Sequence, residues 1–236
     1  MTGGHFIVQR VRRADPDVIA SLGDIGTATV HEAMGMFGFV GAEIRPIQQG
    51  VRIGGSAVTA LCHPGDNLMI HAAVEQTQAG DILVVANTAP STHGMFGDLL
   101  ATSLKARGVR GLVMDAGVRD TADLRQMGFP VWSRCVSCQG TVKATPGSVN
   151  VPIVIGGVVV SPGDVVCADD DGVVIVPRGS ASNTLRAAES RIEKEEGSRR
   201  RLAAGELGLD VHGLRNKLAD LGVRYVDEVP TGERPL

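Results

Sequence analysis

The chain is poor in aromatic residues and has no long apolar run. Only seven of its 236 residues are aromatic: five Phe, Trp132 and Tyr225. With 43% hydrophobic residues there is still ample core material, so that core must be aliphatic. Valine, alanine and glycine dominate, which favours tight packing of strands against small-faced helices. No apolar run approaches the ~20 residues that a membrane helix needs. The longest, "VPIVIGGVVV", is broken by two glycines and reads as a strand. The opening "MTGGHFIVQRVRRAD" has no continuous apolar segment of the kind a secretory signal carries. Four scattered cysteines suggest reduced thiols in a cytoplasm. Cys135 and Cys138 form a lone CxxC with no second pair and no histidine at finger spacing, which argues against zinc and for burial as small apolar residues. A formal charge of −3, with no basic patch carrying interleaved aromatics, argues against a nucleic-acid partner. The expectation is a soluble cytoplasmic protein with neither a nucleic-acid nor a membrane partner.

What is present is an α/β pattern. "DPDVIASLGDIGTATVHEAMG" (15–35) reads as two short helices separated near Gly23 to Gly26. Asp15 can cap the first, Pro16 can fill its first position, and Thr27 or Thr29 can cap the second. "VRIGGSAVTALCH" is strand-like, with glycines that suggest a bulge or a close backbone approach. "NLMIHAAVEQTQAG" has helical spacing and stops at Gly80, and "DILVVAN" follows as a strand. A helix from about Asp98 to Arg107, a strand from Gly111 to Asp115, a short helix from Asp120 to Met127 and the strand "PVWSRCV" come next. From Val151 the pattern is nearly pure β, with Pro-Gly-Asp and Asp-Asp-Gly turn signals. After Ser180 it becomes helical and heavily charged. This predicts an α/β core over 1–178 and a C-terminal helical arm over 179–236, too poor in apolar residues to fold alone.

The chemistry-bearing unit is "HGMFGDLLATSLKARGVRGLVMDAGVRD" (93–120). A helix of about ten residues from Asp98 runs ~15 Å, and the strand after it returns a similar distance at ~3.3 Å per residue. Twenty residues separate Asp98 from Arg119, about one trip out and back. Asp98 and the pair Arg119–Asp120 are therefore expected on one edge. Gly97 would let a ligand approach the backbone, and the free N–H groups of Leu99 and Leu100 would face a carboxylate. Arg119 offers a forked cation for that anion or for a developing oxyanion. Asp120 offers a hard oxygen ligand for Mg²⁺ or Mn²⁺. Competing readings exist for each residue taken alone. Asp98 can be an N-cap, Asp120 can cap "TADLRQMG", and Arg119 can pair with Asp120 on the surface.

"GDLL…GVRD" resembles the signature of the class II pyruvate aldolases, which cleave 4-hydroxy-4-methyl-2-oxoglutarate and 4-carboxy-4-hydroxy-2-oxoadipate and are similar in fold to the regulator of ribonuclease activity A proteins. The resemblance extends to "TATVHEAMG" (27–35), "NLMIHAAVEQTQAGDILVV" (67–85), "GDVVCADDDGVVIVP" (163–177) and the charged tail (193–227), which is like that of the carboxy-hydroxy-oxoadipate aldolases. It implies a layered α/β sandwich of the swivelling-domain, ribonuclease-regulator type with a C-terminal helical arm on a neighbouring subunit. It also implies homotrimers, paired as hexamers, with shared active sites. By the same resemblance, amides around Gly97, Asp98, Leu99 and Leu100 would hold the substrate's pyruvyl carboxylate and Asp120 would ligate Mg²⁺ or Mn²⁺. Metal waters would be held by Asp98 and a neighbouring tail's glutamate, Glu195 ahead of Glu193 and Glu196. Arg119 would face the keto oxygen, and Glu32 and His71 would flank the site. The implied activity is retro-aldol cleavage of such hydroxy-oxo acids to pyruvate and a 2-oxo acid, in bacterial degradation of aromatic acids, with oxaloacetate decarboxylation through the same enolate.

A Schiff-base route is disfavoured. Of the four lysines, Lys105, Lys194 and Lys217 lie on charged helical faces, and Lys105 alone stands near the unit in sequence. "ADDDG" (168–172) looks like a cation loop, but between two valine runs it reads as a hairpin turn. His71, at apolar helical spacing with Met69 and Val74, reads first as a core or interface histidine, with a place at the site as the alternative. A non-enzymatic binding protein like the ribonuclease regulators is the alternative, and the intact Asp98/Arg119–Asp120 set with the arm favours the enzyme.

Overall fold

A computed structural model describes residues 4–230 and 232. The extreme ends of both expected domains therefore lie outside the described residues. The chain begins with α1 (Pro16–Ile25) and α2 (Thr27–Ala33), then β1 (Arg45–Pro46), β2 (Ile53–Cys62), α3 (Leu68–Gln76), β3 (Asp81–Asn87) and β4 (Gly94–Phe96). It continues through α4 (Asp98–Ala106), β5 (Gly111–Val118), α5 (Thr121–Gln126) and β6 (Val131–Val136). Short strands follow: β7 (Ser148–Val149), β8 (Ile153–Ile155), β9 (Val158–Val160), β10 (Val165–Ala168) and β11 (Val173–Val176). The tail is helical, with α6 (Ala181–Ala203), α7 (Gly208–Val211) and α8 (Leu214–Asp220).

One curled sheet runs β1-β6-β5-β3-β2-β10-β11, with β4 added beside β5 and β7 beside β2. The central strands β2, β3, β5 and β6 pair in parallel, while β10 and β11 pair antiparallel. Parallel strands are covered on both faces and so read as unbroken apolar runs, and β3 shows why. Leu83 and Val85 face one cluster with Ile70, Leu100, Leu104 and Leu124 from the helices. Ile82, Val84 and Ala86 face the opposite cluster with Trp132, Ile153, Ile155 and Val160. A third cluster joins Ile19, Leu22 and Val30 of the first two helices to β10 and β11. Trp132, the one tryptophan, donates its indole N–H to the Asp169 carbonyl at 2.7 Å.

Several local expectations meet the structure directly. Asp15 caps α1 by accepting the Asp17 N–H, and Pro16 fills the first helical position. The glycines of β2 do mark a close approach: a Cβ on Gly54 would stand 2.4 Å from the Ile19 carbonyl oxygen of α1. The cap of α2 differs, because Gly26 holds that position and Thr27 is engaged elsewhere. Its N–H and hydroxyl both bond Asp169, at 2.9 and 2.6 Å. "ADDDG" is a hairpin turn between β10 and β11, with Ala168 opposite Val173, and Asp169 anchors it inward. The cysteines depart from expectation. Cys62 and Cys167 are buried, but Cys138 is exposed and Cys135 half-buried. Desolvation pushes the buried pair up to about 12, with nearby Asp66 and Asp169 adding to it.

The chain forms two compact units, one up to Glu189 and one from Ser190. In the second, no described side chain is buried, as its low apolar content predicts. It carries exposed ion pairs such as Arg201 with Glu206 at 2.6 Å and Arg215 with Asp210. No helix among the described residues is long and apolar enough to cross a membrane.

Candidate active site

Strand β5 delivers Arg119 and Asp120 to the start of α4. The Arg119 N–H bonds the Phe96 carbonyl at 2.9 Å, and β4 pairs β5 with Gly94 opposite Gly117. The outgoing helix and the returning strand are thereby stitched together at one edge. Asp120 then takes the left-handed backbone conformation, φ 55° and ψ 37°, which a non-glycine residue seldom adopts without cost. It occupies the N-cap position of α5, yet its side chain makes no capping bond. Its Oδ2 accepts the backbone N–H of Asp98 instead, at 3.3 Å. So the capping reading has the right position and the wrong side chain: the carboxylate is turned to another helix.

Asp98 is likewise not the N-cap. Gly97 holds that place and Asp98 is the first helical residue of α4. At Gly97 φ is −155°, ordinary extended backbone, so conformation does not call for glycine there. Proximity does, because a Cβ would stand 2.1 Å from Asp120 Oδ2 and 3.1 Å from Arg119 Cγ. Arg119 Nε lies 3.4 Å from Asp120 Oδ2, with both side chains partly exposed. Surface pairing is therefore real, but one contact leaves most of the guanidinium's donors for a ligand.

Beside Asp120 lies a cleft of about 170 Å³ lined by Gly97, Asp98, Leu99, Leu100 and Arg119. Leu100 is buried beneath it, whereas Leu99 is 77% exposed at its rim. His71 of α3 also lines the cleft and is solvent-exposed, which corrects the core reading. Partial burial, then the positive charge of Lys143, lower its pKa below the ordinary histidine value. Both effects favour the neutral ring, which can accept a proton or a hydrogen bond.

Two lining residues with polar side chains were not anticipated, Lys143 and Asn67. Lys105, the lysine expected nearby, lies on an exposed face of α4 and donates to the Met127 carbonyl. Lys143 occupies the cleft instead. The signal was in the sequence by subtraction, since Lys143 is the one lysine outside the charged helical faces. Asn67 is 7% exposed. Its Nδ2 donates to the Met95 carbonyl at 3.1 Å, and its Oδ1 is buried without a partner.

Glu32 does not reach the cleft within this chain. It is exposed on α2, a helix packed on β10 and β11, and β3 and β2 lie between those strands and β5. Glu195 lies in the second unit, on α6, where Arg191 pairs with it at 2.7 Å in an i,i+4 arrangement. Glu196 pairs with Arg199 at 2.7 Å. Larger hollows of about 620 and 510 Å³ lie beside Pro46–Val51 and beside Asp169–Asp171, and neither contains the Asp98, Arg119 and Asp120 set.

The donor set suits a small hard cation. Asp120 presents a carboxylate that its own helix does not use, and Gly97 clears the space in front of it. Among the described residues no group of three or more His, Cys, Asp or Glu forms a metal cluster. An ion such as Mg²⁺, which keeps several waters, needs only one or two carboxylates.

Comparison with known proteins shows the family and the fold. The RraA-like family model, described as "Aldolase/RraA", matches residues 27–175. A Halalkalibacterium halodurans protein provisionally named 4-hydroxy-4-methyl-2-oxoglutarate aldolase is 29% identical over 191 residues, covering 81% of this chain and 91% of that protein. The crystal structure of Streptomyces coelicolor RraAS2, described as an unusual member of the RNase ES inhibitor RraA protein family, superposes with a TM-score of 0.74. It is 30% identical and covers 80% of this chain and 99% of that one. An uncharacterised Pseudomonas syringae protein shares the fold, with a TM-score of 0.73 at 24% identity, over 85% of this chain and 99% of its own. The chain belongs to the RraA-like family.

Proposed function

We propose that the protein is a divalent-metal-dependent aldolase that cleaves 4-hydroxy-2-oxo acids carrying additional carboxylates, such as 4-carboxy-4-hydroxy-2-oxoadipate or 4-hydroxy-4-methyl-2-oxoglutarate, and releases pyruvate. The observation that carries this reading is the meeting of Asp120, Arg119 and the Asp98 amide across Gly97. The name of the H. halodurans relative supports the reaction class.

In this reading the N–H groups at the start of α4 bind the pyruvyl carboxylate, where they are unsatisfied within the helix and carry its positive dipole end. Arg119 directs its guanidinium to the C2 keto oxygen. When the C4 hydroxyl loses its proton, the C3–C4 bond opens and its electron pair passes to C3 and the keto oxygen. Arg119 stabilises the enolate charge there, and C3 then takes up a proton to give pyruvate. A water held by Asp98 relays the hydroxyl proton, with a tail glutamate, Glu195, completing the relay from a neighbouring subunit of a trimer or hexamer. Mg²⁺ or Mn²⁺ bound at Asp120 would supply Lewis acidity to the α-keto acid. The same enolate arises when oxaloacetate loses CO₂, so decarboxylation belongs to the same site. Lys143 supplies a second cation, which suits a substrate with a carboxylate beyond the pyruvyl end.

The second reading, a ribonuclease-regulator-like binding protein, has the S. coelicolor likeness in its favour. A coupled assay of pyruvate release from both hydroxy-oxo acids decides between the two. Turnover with Mg²⁺ that disappears with EDTA and in Arg119→Ala is expected. Turnover that survives chelation, or an active Arg119→Ala, defeats the mechanism, and no turnover with any divalent ion favours the binding protein.

A further inference from the structure

We propose that Asp66 is a positioning residue: it fixes Lys143 across the cleft from the carboxylate pocket at the start of α4, so that the cleft selects ligands with a second carboxylate. This rests on the reading above.

Lys143 sits on a segment without regular structure, and such a segment would leave a long flexible side chain poorly placed. Here the backbone is held on both sides of it. The Val142 N–H bonds the Gly65 carbonyl at 3.0 Å, and the Val142 carbonyl accepts the Asn67 N–H at 3.1 Å. Beyond Lys143, Asp66 Oδ2 accepts the N–H groups of Ala144 and Thr145 at 2.7 and 2.6 Å. Its Oδ1 accepts the N–H of Leu68, at the first residue of α3, at 2.9 Å. Asp66 is 1% exposed, and a buried carboxylate with three N–H donors makes strong, charge-assisted bonds. One side chain thus ties the Lys143 segment to the helix that carries His71.

The other wall is tied to the same turn. Asn67 donates to the Met95 carbonyl, two residues before Gly97. Asp66 and Asn67 together bracket the distance between Lys143 and the helix start at Gly97. The bracket is built of backbone bonds and buried side chains, so the separation of the two anion-binding points is set before any ligand arrives. A preset separation is what distinguishes a diacid from a monoacid.

The test compares the Mg²⁺-dependent binding of pyruvate, with one carboxylate, and 2-oxoglutarate, with two, by calorimetry on the full chain. Wild type is expected to prefer 2-oxoglutarate by about tenfold, the worth of one charge-assisted bond. Lys143→Met and Asp66→Asn should each erase most of that preference, because they weaken 2-oxoglutarate far more than pyruvate. Hydrogen exchange reads the clamp separately: the Ala144 and Thr145 amides should be protected in wild type and exchange at least ~10-fold faster in Asp66→Asn. Fast exchange of both amides in wild type overturns the clamp even if the variant fails to fold. Equal weakening of both ligands in Asp66→Asn, or a retained preference once protection is lost, overturns the positioning role. A wild type without preference overturns the inference while leaving the pyruvate pocket intact. A wild type with the preference but no pyruvate release defeats the aldolase reading and leaves the clamp standing.

Discussion

The Asp120 carboxylate bonds the backbone N–H of Asp98, at 3.3 Å, although it stands at the N-cap of a different helix. A capping aspartate ordinarily serves its own helix, and giving that up costs about 1 kcal/mol. Left-handed backbone at the same residue adds a further cost. The fold accepts both, and the result is a carboxylate suspended between Arg119 and the start of α4. Local cost is thus concentrated at the group that the proposed mechanism uses to hold a cation.

Gly97→Ala tests that arrangement with a single methyl group. The backbone there suits any residue, so global stability should change little, by less than about 1 kcal/mol in urea unfolding. The new Cβ would stand 2.1 Å from Asp120 Oδ2 and must displace it. A displacement near 1 Å costs roughly 10²-fold in rate, so kcat/KM for pyruvate release should fall by that factor while the transition midpoint holds. Near-wild-type kcat/KM would show that the position of Asp120 is not critical.

Lys143 and His71 are coupled electrostatically. Partial burial and the Lys143 ammonium both hold the His71 imidazole below 6.5. Lys143→Met removes the second cause and leaves the first. The titration of His71, followed by its imidazole proton resonances, should move up toward 6.5 without reaching it. The folded state should also lose less stability as pH falls below 6.5, because a lowered histidine disfavours folding once the unfolded chain takes up the proton. A downward move in Lys143→Met would refute the coupling.

The sequence made the central unit legible because its parts are local. Asp98 opens one helix, Arg119 and Asp120 follow directly on the strand that returns from it, and element length alone brings them back to one edge. The parallel core was legible for a related reason, since strands covered on both faces are continuous apolar runs. The entry of Lys143 and Asn67 into the cleft was not legible, beyond Lys143 being the one lysine off the charged helical faces, because it depends on bridges between residues 65–67 and 142–145. No periodicity records such pairings. The same holds for Asp169, which reads as a turn residue and is also the inward anchor of Thr27. Asp120 was half legible: its place before α5 followed from the pattern, and the direction of its carboxylate did not.

Arg13 and Asp81 form an ion pair that offers a control away from the cleft. Asp81 is fully buried, and Arg13 Nε and Nη2 reach its two oxygens at 2.7 and 2.8 Å. The Gln78 N–H also donates to it, at 2.8 Å. Arg13→Ala leaves a buried carboxylate without its cation, a loss worth about 3–5 kcal/mol, toward the low end because Arg13 is itself partly exposed. Urea unfolding should register that loss with kcat unchanged for the protein that remains folded. A loss below about 1 kcal/mol would mean that water reaches Asp81 once Arg13 is gone.

Asp66 makes a prediction in acid. Burial alone would raise its pKa, but backbone bonds from Leu68, Ala144 and Thr145, with the Thr145 hydroxyl, outweigh burial and hold it below its ordinary 3.8. A carboxylate lowered on folding binds fewer protons in the native state than in the unfolded one. Its contribution is therefore fully present above 3.8 and is lost as pH falls through the lower folded value. Asp66→Asn should be less stable at neutral pH by about 2–3 kcal/mol, the usual worth of hydrogen bonds to a charged group. Its stability should then fall less steeply than wild type below 3.8, so the two curves converge in strong acid. Parallel curves from neutral pH into acid would show that Asp66 is not lowered on folding, and the strength assigned to the Lys143 clamp would go with it.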